Sequence, residues 1–181
     1  SGLTTWSIGS PIGKINIRDD FDAHLELFRH VLEISDILGA KNIRLFSFYI
    51  PKGELPSIYR QEVIERMGTF LEIAKGSDIA LCHENEKGIY GDNAERCLDI
   101  ARTIGPDMPL VFDPANFIQC GVDPMVAYKK LRPYIAYMHI KDALPNGSVV
   151  PPGEGIGNVP VLLEKFAAQG GSLLSLEPHL S

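Results

Sequence analysis

No stretch of this sequence holds the roughly 18 consecutive apolar residues that a membrane span needs. No basic segment leading into an apolar core opens it, so neither a secretory signal nor a membrane partner is expected. Cysteine is scarce. The three residues Cys82, Cys97 and Cys120 form no CxxC pair and no metal-ligand spacing. An odd, thin complement gives no disulfide framework and fits a reducing, cytoplasmic compartment. Cys82 and Cys97 read as small core hydrophobes; Cys120, beside Gly121, reads as a turn residue. Basic charge is also short, with 17 Lys and Arg against 23 Asp and Glu and a net charge of −6. A nucleic-acid backbone requires a basic surface, so none is expected as partner. The adjacent pair Lys129-Lys130 reads as a solvated helix face.

What remains is a globular chain of 181 residues, 45% apolar and 22% charged, long enough for one core. No linker or low-complexity tract divides it, so residues 1–181 read as one domain. Short apolar runs alternate with amphipathic stretches. The runs are IRLFSF (43–48), IALC (79–82), PLVF (109–112), AYMHI (136–140) and SLLSL (172–176). Helical spacing places Leu25, Phe28, Leu32 and Leu38 near one face of 21–38. It does the same for Val63, Met67, Phe70 and Ala74 in 58–75. Asp92 with Glu95 predicts a capping box for 92–104. Asp123-Pro124 predicts a start for 124–132, and Asn158 one for 158–169. Gly39, Gly76, Gly105 and Gly170 predict four helix ends. Strand and helix alternating about five times means a mostly parallel sheet covered by helices. A doubly wound sheet and a (β/α) barrel fit this order equally. The Gly- and Pro-rich stretch 144–157 reads as a loop or lid.

Four successive predicted strands end in a carboxylate or imidazole. IALC leads to Glu84, PLVF to Asp113, AYMHI contains His139, and SLLSL leads to Glu177. Parallel α/β folds bind ligands at the carboxyl ends of their strands, and a barrel makes those ends converge. Three carboxylates and an imidazole suit one divalent ion: Mn²⁺, Mg²⁺ or Co²⁺, with Zn²⁺ admissible. Each residue also has a plainer reading. Glu84 can be a solvated loop residue, Asp113 a turn starter, His139 a core histidine and Glu177 a cap. Their shared position after consecutive strands is what favours the metal. Arg44, at a strand start, reads as an ion pair on the opposite face of the barrel. PPGEGIG (151–157) could present backbone N–H groups to a phosphate but lacks the GxxxxGK[ST] and GxGxxG patterns.

The segments HENEKGIYGD (83–92), FDPANF (112–117), HIKDA (139–143), PPGEGIG (151–157) and SLEPHL (175–180) resemble the sugar phosphate isomerase/epimerase family of xylose-isomerase-like TIM barrels. So do SIGSPIGKI (7–15) and IRLFSFY (43–49), so the resemblance spans essentially the whole chain. It implies an α/β (β/α)8 TIM barrel with Glu84, Asp113, His139 and Glu177 as metal ligands on strands five to eight. A full barrel takes about 250 residues, so the first two β/α units are expected to be lacking here. The open strand edges would then need a partner or a swapped arrangement, for which a homo-oligomer is one solution.

The implied activity is isomerisation or epimerisation of a ketose or related sugar, free or phosphorylated. Glu84 and Glu177 would pass a proton through a metal-stabilised cis-enediolate. Asn116, Lys141, Glu86, Glu154 and His179 are the implied substrate contacts; Lys141 can alternatively pair with Asp142. Some positions depart from the ketose 3-epimerase pattern. Asn116 stands where that pattern has histidine, Tyr90 where it has glutamate and Pro145 where it has arginine. Three other activities compete. A keto-inositol or keto-sugar dehydratase would share the enediolate step. A non-catalytic sugar-binding protein would keep the barrel without turnover. An abasic-site endonuclease needs more histidines than the five present.

Overall fold

A computed structural model describes residues 2–177. Strand β1 (Ser7–Gly9) leads to helix α1 (Phe21–Ile37), β2 (Asn42–Leu45), α2 (Arg60–Ala74), β3 (Ala80–Glu84), α3 (Ala94–Ile104) and β4 (Leu110–Phe112). Then follow α4 (Pro114–Gln119), α5 (Pro124–Leu131), β5 (Ile135–Ile140), a short hairpin of β6 (Asp142–Ala143) and β7 (Val149–Val150), α6 (Val159–Ala168) and β8 (Leu174–Leu176). The main sheet among the described residues has the order β1-β2-β3-β4-β5-β8, with every pairing parallel. Each new strand joins the side of the last, the order of a barrel wall. A doubly wound sheet would reverse direction partway.

Alternation along each strand separates two faces. Leu45, Leu110, Phe112 and Met138 turn outward into the helix-covered clusters. Cys82, Val111 and Tyr137 turn to the concave side and pack with Trp6, which meets Tyr137 edge-on at 4.9 Å. Helix α1 begins where Asp20 accepts hydrogen bonds from the Asp22 and Ala23 N–H groups, and it buries His24, Phe28, Val31 and Ser35 at helical spacing. The expected ends at Gly39, Gly76, Gly105 and Gly170 all have positive φ.

One local expectation is corrected, one holds without a cap bond, and one element is new. The cap of α3 is Asn93, which accepts from the Arg96 N–H, and Asp92 pairs instead with the Arg96 guanidinium. Asn158 precedes α6 in the left-handed region, with φ 52, and makes no side-chain cap bond. The short helix α4, started by Asp113-Pro114, was not expected as a separate element.

Beyond β2 the chain leaves the sheet early. The N–H groups of Phe46, Phe48 and Tyr49 donate to the carbonyls of Ile12, Gly13 and Ile15. This seats the β1 loop across the strand ends. A Cβ at Gly13 would lie 1.9 Å from the Phe46 carbonyl oxygen, so only glycine permits the approach. The two cysteines expected in the core, Cys82 and Cys97, are buried, and all three are free thiols. No helix among the described residues is long and apolar enough to cross a membrane.

Candidate metal centre

Glu84 ends β3, His139 lies in β5 and Glu177 follows β8. Each of the three offers one ligand atom, and those atoms lie within 4.8 Å of one another. His139 Nε2 is 3.5 Å from Glu84 Oε2, and His139 Nδ1 is 3.8 Å from Glu177 Oε1. Nδ1 also meets Ser175 Oγ at 2.5 Å. Nε2 is buried beside the Glu84 carboxylate, and among the described residues it makes no well-formed hydrogen bond. A buried imidazole nitrogen in that state is costly. One carboxylate faces each ring nitrogen, Glu84 at Nε2 and Glu177 at Nδ1, and oxygen donors around an imidazole are a donor set that a divalent ion accepts.

Glu84 is held from several sides. Its side chain is 2% exposed, Asn116 Nδ2 donates to Oε1 at 3.0 Å, and Arg44 Nη1 donates to Oε2 at 3.0 Å. Burial pushes its pKa up, but His139, Arg44 and Lys141 outweigh burial and hold it below the usual carboxylate range. Burial pulls His139 down, but Glu84, Glu177 and Asp113 raise it above an ordinary histidine.

Asp113 is buried but lies outside this trio. Its Oδ1 caps α4 at the Asn116 N–H, and its Oδ2 accepts from Lys141 Nζ at 3.2 Å. Burial raises its pKa to about 6 despite the lysine. Asn116 is fully engaged: besides Glu84, its amide donates to the Asn85 carbonyl, and its Oδ1 accepts from Lys141 at 2.9 Å. Lys141 thus pairs with Asp113 and Asn116. Asp142 points elsewhere. Its carboxylate accepts the backbone N–H groups of Gly153, Gly155 and Gly157. The N–H cradle considered for a phosphate is therefore filled by this chain's own carboxylate. A Cβ at Gly155 would fall 2.3 Å from Asp142 Oδ1, so the wrap depends on glycine.

Glu86 pairs with Lys14 at 2.9 Å. Glu154 is exposed on the loop. His179 lies outside the described residues. Arg44 is corrected: it sits in the centre, with Nη1 also 3.1 Å from Glu177 Oε1. Lys14 is a further neighbour that the sequence did not single out. A cavity of about 330 Å³ is lined by Lys14, Arg44, Glu84, Glu86, Lys141 and Glu177, among others. His83, next to Glu84, turns to the other face, where Ser47 Oγ meets its Nε2 at 2.9 Å.

Comparison with known proteins agrees with this architecture. A 3-dehydroshikimate dehydratase of Bacillus anthracis is 20% identical over 129 residues, 71% of this chain and 46% of that protein. The chain thus spans about half the length of the curated relative it matches. The solved structure of a protein named IOLI with a bound zinc atom superposes with a TM-score of 0.80 at 20% identity, covering 97% of this chain and 67% of that one. That of a D-tagatose 3-epimerase-like protein gives 0.79 at 20% identity, covering 95% and 69%. At these identities the structural likeness establishes the fold. The family model described as xylose isomerase-like TIM barrel matches residues 1–180, and the chain belongs to that family.

Proposed function

We propose that this chain carries the centre of a metal-dependent isomerase or epimerase acting on a ketose or related sugar. The observation that carries the reading is the convergence of Glu84, Glu177 and the buried His139 ring, whose ligand atoms lie within 4.8 Å of one another. These three would hold a divalent ion. Asp113 is proposed as a fourth donor that would exchange Lys141 for it. Mn²⁺, Mg²⁺, Co²⁺ and Zn²⁺ all accept this donor set. Such an ion, when bound, supplies Lewis acidity toward a carbonyl oxygen and a neighbouring hydroxyl.

The side chains do the remaining work. Glu84, held ionised by its neighbours, is suited to take a proton from the carbon beside the carbonyl. Glu177 approaches the other nitrogen of the His139 ring and is assigned the return of the proton. Either can act first, depending on the substrate's configuration. Asn116 fixes the Glu84 carboxylate by donating to Oε1. Lys141 is the proposed contact to a substrate hydroxyl or phosphate and Glu86 to a substrate hydroxyl, in a cavity of the size small ligands use.

The test is incubation in D2O with free and phosphorylated ketoses and each of the four ions. Deuterium incorporation beside the carbonyl, without loss of water and abolished by Glu84→Gln, is the expected result. No exchange with any ion overturns the reading. The curated relative that matches 129 residues favours a second reading, dehydration of a keto acid or keto-cyclitol. The same incubations separate the two, because loss of water generates a conjugated, ultraviolet-absorbing product. Metal binding with no turnover would leave a sugar-binding protein.

A further inference from the structure

We infer that Arg44 is a built-in rival of the metal: its guanidinium occupies the carboxylate oxygens that a divalent ion needs, and so sets how tightly the ion binds. The inference rests on the proposal that Glu84, His139 and Glu177 hold such an ion.

Arg44 lies on β2, in register with Cys82, and so faces the concave side. One nitrogen, Nη1, donates to Glu84 Oε2 at 3.0 Å and to Glu177 Oε1 at 3.1 Å. These are the two oxygens nearest the His139 ring, at 3.5 and 3.8 Å. The arginine therefore draws together the edges of the ligand set that face the imidazole. An ion taking the same oxygens meets a positive charge already seated on them. Either the guanidinium moves away or two like charges share one pair of carboxylates; both weaken binding.

The surroundings hold Arg44 in reach without fixing it. Its Cζ lies 4.8 Å from the centre of the Phe46 ring, and Nη2 donates weakly to the Ser10 carbonyl at 3.4 Å. Nε is buried with no hydrogen-bond partner among the described residues, so this seat is incompletely satisfied there. Gly9 leaves room beside the guanidinium, since a Cβ there would come within 3.4 Å of Nη2. Arg44 can therefore serve as counter-cation to the glutamates before the ion arrives and yield its place afterwards.

The test is calorimetric titration of the full chain with Mn²⁺ and Zn²⁺, comparing wild type with Arg44→Met, which keeps an apolar stem over Phe46. Melting temperature in chelator is measured in parallel. The expected result is at least tenfold tighter binding by the variant. A lower melting temperature in chelator, with a larger recovery on adding metal, should accompany it. Arg44→Gln serves if the methionine variant fails to fold, with the same expected sign. Binding by wild type with equal or weaker affinity in the folded variant overturns the inference and leaves the proposed centre standing. Binding by neither protein overturns the proposed centre as well.

Discussion

Strands β3 and β8 each deliver one glutamate to the same centre, yet they are built differently. Strand β3 lies between β2 and β4, and its last four residues are buried. Among the described residues strand β8 pairs with β5 alone, and Leu174 and Leu176 are 49% and 77% exposed. Their glutamates differ accordingly: the Glu84 side chain is 2% exposed and that of Glu177 is 24% exposed. A strand with two neighbours has its backbone fixed on both sides, so its terminal side chain is preorganised. Glu177 is held through its side chain, with Arg44 and the His139 ring among its neighbours. The centre therefore has a buried half at Glu84 and a more exposed half at Glu177.

The sharpest way to break this comparison is to remove each glutamate in chelator and follow urea unfolding. Glu84→Ala takes a buried carboxylate from Arg44 and Asn116 and should cost about 3–5 kcal/mol. Glu177→Ala, partly solvated, should cost about 1 kcal/mol or less. Equal losses would remove the distinction between the halves.

The second test uses the two histidines. Burial lowers the His83 pKa to about 4, against 6.5 when unfolded. The unfolded state then binds more protons, so stability is lost as pH falls from about 6.5 to 4, by up to about 3 kcal/mol. His139 has the opposite sign. Its raised pKa contributes stability that is fully present below 6.5 and lost as pH rises through the folded value. Unfolding midpoints from pH 4 to 8 should show His83→Gln flattening the acid side only. A slope unchanged by that substitution would assign the acid loss to other groups.

A smaller effect is expected at Asn116. Truncation to alanine strips Glu84, Lys141 and the Asn85 carbonyl of one hydrogen bond each, at a cost of about 1–3 kcal/mol. A cost of similar size, about 1–3 kcal/mol, is expected for Asp142→Asn, which sets an amide NH2 against backbone N–H groups. Amide hydrogen exchange should accelerate at Gly153, Gly155 and Gly157. Unchanged exchange there would mean that the loop does not depend on the carboxylate.

Much of the wall was legible in advance. The apolar runs and amphipathic stretches marked strands and helices within a few residues, because burial against one neighbouring layer imposes a local period. The strand-end positions of Glu84, His139 and Glu177 were legible for the same reason. Arg44 was misread because its partner Glu177 is 133 residues away, and no local pattern tells a strand residue which carboxylate it will meet. Asp113, Asn116 and Lys141 were legible as neighbours of the site. That they satisfy one another was not, since this depends on α4 turning directly off β4. The glycine-rich loop lacked a phosphate motif in the sequence, and the group its N–H donors hold is the Asp142 carboxylate.

The sequence by itself determined the order of elements, the parallel sheet and the placing of an acid or imidazole after successive strands. These follow from periodicity and chain direction, which are local. Only the tertiary structure decided which of those groups share one point and which are paired off around it. It also placed an arginine between the two glutamates. Those outcomes depend on curvature and register across strands far apart in the chain, where hydrogen-bond geometry fixes distances to within an ångström.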